Sequence, residues 1–214
     1  MTEPHVASAL NLLSLVRQEA NAIGVAVSFG KDSLATLDLC CRVFARVEAY
    51  YLYRVAGLQI VEDWAAEVFA RHGVTVRMYP HFDLSRCYRG SVLQPHWRRD
   101  VPTVNLPDIE HAFRREANVD WLAMGWRRSD SRSRALIMKA CHGYDTAAQR
   151  VFPLRNWRRG QVYDYLDQHG IPRPPTLGRK EQGGLDFHAG AIAALSPADR
   201  ALWETDFPFT EALT

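Results

Sequence analysis

Apolar positions along the chain switch between two spacings, and the switching predicts the elements. Residues 6–20 carry Leu10, Leu13, Val16 and Ala20 on one helical stripe. Residues 23–28 (Ile-Gly-Val-Ala-Val-Ser) form a short apolar run of strand character that stops at a turn. Helical spacing resumes over 32–44 with Leu34, Leu37, Leu39 and Val43. A second strand over 47–53 precedes a helix over 60–72 closed by Gly73, and a third strand spans 74–79. Residues 80–106, with Pro80, Pro95 and Pro102, lack periodicity and read as a long loop: a lid, a binding loop or a disordered insert. A helix over 106–118, a fourth strand over 120–125 and a helix over 132–141 come next. A short strand over 151–154 and a helix over 159–169, ended by Gly170 and Pro172, complete the series. This alternation predicts an α/β fold with a doubly wound, mostly parallel, five-stranded sheet over residues 1–170. Residues 171–214 read as a C-terminal tail, Pro- and Gly-rich and mobile from 172 to 184, with a last helix near 190–203. No internal repeat is present.

Composition narrows the classes. The chain has 214 residues, 47% apolar and 23% charged, which suits a globular protein able to bury a full core. No apolar run approaches the roughly 18 residues of a membrane span. The start, Met1-Thr2-Glu3-Pro4-His5, lacks the order of a secretory signal, so a cytoplasmic setting is expected. A net charge of +2 creates no global basic field that demands a nucleic-acid partner. Lysines stand only at 31, 139 and 180, and arginines cluster at 98–99, 114–115, 127–134 and 158–159. Most clusters read as solvated helix faces, and the group from 127 to 134 is the exception. Cys40, Cys41, Cys87 and Cys141 show no Cys-x-x-Cys spacing, so neither zinc nor an iron–sulfur cluster is expected and buried packing roles are.

The chemistry concentrates at Ser28-Phe29-Gly30-Lys31-Asp32-Ser33, where the first strand gives way to a helix. Such a turn lies at the carboxyl edge of the sheet, and its successive N–H groups form a nest for anions next to a positive helix end. Gly30 allows close approach of a phosphate oxygen to the backbone. Ser28 and Ser33 offer hydroxyls and Lys31 a cation, while Asp32 either caps the helix or holds Mg²⁺. The stretch from Gly24 to Lys31 is not the Gly-x-x-x-x-Gly-Lys-Ser/Thr loop, because one residue too many separates the glycines and Asp32 replaces the hydroxyl residue.

Residues 25–33 resemble the PP-motif of the ATP-pyrophosphatase (adenine nucleotide alpha hydrolase-like) superfamily, in the Ser-Phe-Gly form of its phosphoadenosine phosphosulfate (PAPS) reductase branch. Gly125-Trp126-Arg127-Arg128-Ser129-Asp130-Ser131-Arg132-Ser133-Arg134 resembles that family's Gly-x-Arg-Arg-x-x-Ser-x-x-Arg segment at the end of the fourth strand. Phe152-Pro153-Leu154-Arg155-Asn156-Trp157 resembles its Pro-Leu-x-x-Trp element, which precedes the helix carrying Val162 and Tyr165. The resemblance implies a site for ATP, PAPS or adenylylsulfate with Mg²⁺. It implies nucleotide contacts from Ser28, Phe29, Gly30, Lys31, Asp32, Ser33, Gly57, Gly125, Arg127, Arg128, Ser131 and Arg134. Lys31, Asp32 and Arg128 are the candidates for catalysis.

Two departures are legible. The family's reductases attack the sulfate sulfur with a thiol in a C-terminal Glu-Cys-Gly-x-His segment. The counterpart here is Gln182-Gly183-Gly184-Leu185, with Gly183 at the thiol position, and no cysteine follows Cys141. The reductases' Asp-Thr-Gly turn and Pro-Glu pair are replaced by Tyr53-Arg54-Val55-Ala56-Gly57 and Glu62. Arg54 either meets a different anion or sits at the sheet edge. Smaller features stay open: Trp126 stacks on a base or belongs to the core, and residues 81–99 form a lid or a groove for single-stranded nucleic acid. His96, His111 and His142 read as structural, and so does Asp186-Phe187-His188. Three functions remain: adenylylation of an unknown acceptor, sulfonucleotide reduction with a thiol from a partner protein or from Cys87, and non-catalytic nucleotide binding in a phage or DNA-modification system. An oligomer is compatible with each.

Overall fold

Strand β1 (Ala22–Ala26) is apolar along almost its whole length because it runs through the middle of the sheet and is covered on both faces. The structure, a computed structural model, describes residues 3–92, 94–172, 192 and 194–209. Helix α1 (Pro4–Glu19) leads into β1, and α2 (Lys31–Cys41) carries the chain to β2 (Arg46–Tyr53). Helix α3 (Gln59–His72) crosses to β3 (Val76–Pro80), and α4 (Asp83–Gly90) and α5 (Leu106–Ala117) bring the chain back to β4 (Trp121–Ala123). Helix α6 (Arg132–Ala140), the hairpin of β5 (Tyr144–Asp145) and β6 (Arg150–Val151), and α7 (Arg159–Gln168) follow, and the last described helix is α8 (Pro197–Asp206).

The strand order is β3-β2-β1-β4-β6-β5. Every pair is parallel except β5 with β6. The sheet therefore has six strands where five were expected. The additional strand is a two-residue antiparallel edge, too short to leave a period in the sequence, and the strand expected over 151–154 shrinks to Arg150–Val151. The segment from 80 to 106 also departs from expectation, since it contains α4. That helix buries only Ser85 fully and has no side-chain cap, so no N-terminal start signal announces it.

Alternation along the strands distributes the core over both faces. Ile23, Val25, Trp121 and Ala123 join the helices α1, α2, α3, α7 and α8 in one cluster. Ala22, Leu122 and Met124 join Phe113 and Ala117 of α5 and Met138 of α6 in the other. Gly24 belongs to the second face, where a Cβ would stand 2.5 Å from the Phe113 ring and 2.7 Å from Leu122. The last helix is part of the same core, because Ile192, Leu195, Trp203 and Phe207 lie in the first cluster. No helix among the described residues is long and apolar enough to cross a membrane.

Helix α8 also satisfies a neighbour's backbone. Leu58 precedes α3 without a capping side chain, and the buried Asp199 carboxylate accepts the N–H groups of Gln59 (2.6 Å) and Ile60 (3.2 Å) instead. Replacing Asp199 by alanine removes the acceptor of both partly buried donors. Asp199→Ala is expected to lower stability by about 1–2 kcal/mol, read as a lower urea midpoint, while Asp199→Asn keeps an acceptor and loses less.

Candidate functional site

The chain builds β1, β2 and β3 outward in one direction, then returns to place β4 on the other side of β1. A crevice opens where the order reverses, beyond the carboxyl ends of β1 and β4, and α/β sheets bind ligands there. The segments that leave these two ends are residues 27–33 and 124–134.

Val27 continues β1 with an N–H bond to the Tyr50 carbonyl (2.9 Å), and the chain then turns sharply. Phe29 makes the turn with φ +53°, a left-handed conformation uncommon for a residue with a side chain. It is held there by complete burial of its ring, which packs on Tyr51 at 5.0 Å. The Ser33 hydroxyl closes the turn from inside. It accepts N–H bonds from Ser28 (3.1 Å) and Gly30 (3.1 Å) and donates to the Gly30 carbonyl (3.0 Å). Helix α2 thus starts at Lys31 with Gly30 at its cap position, and Asp32 is not the cap. The first-turn amides of Lys31, Asp32 and Ser33 have no intrahelical acceptor and point out of the helix end with the positive pole of its dipole. Ser28 lies exposed at the mouth of this end.

The end of β4 is fastened to the same helix terminus. A Cβ on Gly125 would stand 2.9 Å from the carbonyl carbon and oxygen of Asp32 and 3.1 Å from the Ser33 nitrogen. Only glycine permits this contact between backbones. Two residues on, Arg127 is 8% exposed and reaches Asp32 through Nε at 3.0 Å and Asp130 through Nη2 at 3.0 Å. Nε and Asp32 Oδ1 are both sealed from solvent and face each other as an ion pair without hydrogen-bond alignment. The other Asp32 oxygen takes Lys31 Nζ at 2.7 Å. Asp130 accepts the Arg127 N–H (2.8 Å) and pairs with Arg134 (3.1 Å), and Ser131 caps α6 by accepting the Arg134 N–H (3.2 Å).

The predicted site residues therefore separate by role. Lys31, Asp32, Ser33, Gly125 and Arg127 meet at one point, with Ser28, Phe29 and Gly30 forming the adjoining turn. Arg134 and Ser131 support Asp130 and α6. Arg128 is exposed on the rim, and Gly57 (φ +74°) sits in the next strand-end turn, beside Leu202. Arg54 pairs with Asp83 at 3.6 Å. Trp126 stacks on Phe152 (5.5 Å) and carries the Arg134 guanidinium (4.8 Å), as a residue packed against the core does. Trp97 is exposed beneath Arg99, whose guanidinium lies 4.0 Å from its ring centre, and Tyr88 stacks on Phe207. The Gln182–Leu185 stretch and Asp186-Phe187-His188 lie outside the described residues.

Magnesium was expected on Asp32, and the donors do not fit it. Both carboxylate oxygens are met by cations, Lys31 and Arg127. No group of three His, Cys, Asp or Glu residues that could hold a metal exists among the described residues.

Sequence reasoning passed over Arg155, Arg158 and Arg159. Strands β4 and β6 are parallel partners with Ala123 opposite Val151, so the fourth residue beyond each, Arg127 and Arg155, emerges at the same level. The Arg128 N–H bonds the Arg155 carbonyl at 3.0 Å and ties the two segments together. Leu154 and Trp157 turn into the core, and Trp157 Nε1 donates to the His5 carbonyl (3.2 Å). Arg155, Asn156, Arg158 and Arg159 consequently face outward. With Arg127, Arg128 and Ser129 they line a groove of about 520 Å³. Another cavity, about 540 Å³, lies at the amino edge around Arg46, Glu48, His72 and Arg77. It is far from the strand ends that carry the turn, and its Arg46 and Arg77 are paired with Glu48.

The thiols are poorly placed for nucleophilic work. Burial, with Cys41 and Asp38 adding to it, drives the Cys40 thiol well above its ordinary range. Burial and Asp38 push Cys41 to about 12. Cys87 is raised by burial and by Asp83.

A mostly parallel sheet with an anion-ready turn at its switch point is the architecture of oxyanion-binding α/β proteins. Residues 22–180 match the phosphoadenosine phosphosulfate reductase domain family, and the chain belongs to that family. Its fold is shared with phosphoadenylyl-sulfate reductase from Candida auris, solved as a phosphate complex, at 16% identity and TM-score 0.52 over 81% of this chain and 90% of that one. It is also shared with the NH3-dependent NAD synthetase of Campylobacter jejuni, solved with nitrate, at 10% identity and TM-score 0.51 over 95% of this chain and 92% of that one. No curated protein matches the chain.

Gly125→Ala drives a Cβ into backbone that cannot rotate away. It is expected to cost about 1–3 kcal/mol in denaturant unfolding. A raised thiol pKa means a protonated thiol at neutral pH, so Cys40 and Cys41 should resist a thiol-specific reagent at pH 7.5 in the native protein and react once urea unfolds it.

Proposed function

We propose that this protein binds the triphosphate of ATP at the Ser28–Ser33 turn and transfers its adenylyl group to an oxygen nucleophile of a second substrate. The carrying observation is the clasp of Lys31, Asp32 and Arg127 at the open end of α2, which leaves a rigid, positively polarised cradle at the switch point. The acceptor oxygen attacks the α-phosphorus as the bond from that phosphorus to the α,β-bridging oxygen breaks. The bridging oxygen departs with pyrophosphate, and its growing charge is met by Lys31 and the first-turn amides of α2. An ammonium has three donors, of which one goes to Asp32, so Lys31 can hold the leaving group without releasing the carboxylate. Asp32 and Arg127 act as positioning residues, Ser28 and Gly30 border the phosphates, and Arg128 on the rim faces the incoming acceptor. No step is assigned to magnesium.

Thiol attack on a sulfonucleotide is the weaker reading, because Gly183 stands at the thiol position and Cys40, Cys41 and Cys87 are all raised toward the protonated form. The presence of phosphate and nitrate in the two related structures is in keeping with oxyanion binding on this fold.

Calorimetric titration with ATP tests the site. Lys31→Ala removes a charge-assisted contact worth about 1.5–3 kcal/mol, so binding should weaken roughly 10- to 150-fold. In the presence of a competent acceptor the same variant and Asp32→Ala should release no pyrophosphate. ATP binding that ignores Lys31→Ala, or sulfite formed from PAPS with thioredoxin, would overturn the reading.

A further inference from the structure

Once their partners are known, the arginines of the carboxyl edge divide into two sets. Arg127 and Arg134 are neutralised by Asp32 and Asp130. Arg128, Arg155 and Arg158 have no carboxylate within ion-pair distance among the described residues, although all three line the groove beside Arg127. Arg159 is the fifth arginine of the groove, and its guanidinium stands 5.8 Å from the Tyr163 ring.

This grouping is built rather than incidental. Gly143 has φ +81°, and a Cβ there would lie 2.4 Å from Arg155 Cδ and 2.6 Å from its Nη1. The bare glycine seats the Arg155 guanidinium against the backbone. The Arg128–Arg155 backbone bond fixes one wall to the other, and buried Leu154 and Trp157 fix the second wall to the core. Like charges held together in a concavity repel one another unless an anion joins them, and guanidinium groups match phosphate oxygens in bidentate fashion. The volume of about 520 Å³ falls within the roughly 300–1,000 Å³ of small-molecule pockets, more than one tetrahedral oxyanion fills.

We infer that the groove of Arg128, Arg155, Arg158 and Arg159 is a second binding site, distinct from the turn, for a substrate carrying two or more phosphate-type groups. Arg127 forms the wall between the two sites, since it lines the groove and grips Asp32 at the turn. The inference rests on the adenylylation reading only for its assignment of this ligand as the acceptor. The site itself stands on the uncompensated charge.

The test titrates the full chain with inorganic tripolyphosphate at physiological ionic strength. The native protein should bind two equivalents, one at the turn and one in the groove. Arg155→Gln/Arg158→Gln should bind one and keep its ATP affinity within about twofold, whereas Lys31→Ala should keep the groove equivalent. Arg158→Gln alone, at an exposed position that does not endanger folding, should weaken the groove event about tenfold, as loss of one charge-assisted contact does. Competition by a short oligothymidylate, abolished in the double variant, would trace the phosphates to a nucleic-acid backbone. Groove binding without such competition would trace them to a small polyphosphorylated ligand. A double variant that still binds two equivalents, or a native protein whose sole equivalent disappears with Lys31→Ala, overturns the inference. If Lys31→Ala leaves ATP binding intact while the groove event still depends on Arg155 and Arg158, the adenylylation reading fails and the groove stands.

Discussion

The carboxyl edge of this sheet is organised by one contact, the approach of Gly125 to the Asp32–Ser33 backbone with Arg127 locked over it. The approach leaves no room for a side chain at residue 125, where a Cβ would stand 2.9 Å from the Asp32 carbonyl in the first turn of α2. Arg127 then closes the junction with an ion pair sealed from water. Such pairs contribute modestly to stability as a whole, but losing one partner strands a buried charge at a cost of about 3–5 kcal/mol. The contact therefore fixes geometry more than it adds stability. It holds the amides of α2 and the arginine-bearing segment at constant separation, as two loops that must act on one ligand require.

The same junction decides which charges remain available. Asp32 lies between Lys31 and Arg127, and Asp130 between Arg127 and Arg134, so five residues in two segments form one network in which two carboxylates offset two of the three cations. Positive charge left over appears on either side of it. On one side it is the ammonium of Lys31 with the helix pole, which suits a phosphate approaching the turn. On the other it is Arg128 with the arginines beyond β6, which suits a second anion. The network thus separates two like-charged sites that would otherwise merge into one diffuse field.

Much of this was legible in the sequence because it is local. An apolar run, a turn containing glycine and a helix adjacent in the chain announce β1 and α2 without any tertiary information, and three motifs in order point to the family that residues 22–180 belong to. Features made by distant residues were not legible. Arg158 and Arg159 look like a solvated helix start until the parallel register of β4 and β6 brings Arg155 level with Arg127. Asp199 caps a helix 140 positions earlier in the chain. Ser33 resembles a ligand-binding hydroxyl, yet the folded turn engages it with Ser28 and Gly30. Strand β5 was missed for another reason, since an element of two residues is too short for a period to emerge, and α4 lies inside a segment whose prolines made it read as one long loop.

Placement of the thiols separates the anion-binding apparatus from redox chemistry. Cys40 and Cys41 close the last turn of α2, nine and ten residues from Lys31 and so about 14–15 Å along the helix from its charged end. Their thiols are kept protonated by burial and by Asp38, which itself receives the Tyr165 hydroxyl from α7. These groups belong to the packing of α2 against α7, which braces the turn from behind. Residues 142–214 contain no cysteine. A reaction that moves electrons needs a thiolate near the sulfonucleotide, whereas a reaction that moves an adenylyl group needs only an oxygen nucleophile and a stabilised leaving group. Lys31, the open end of α2 and the arginine rim are the groups on which the proposed adenylyl transfer draws, whereas burial keeps the thiols of Cys40 and Cys41 protonated.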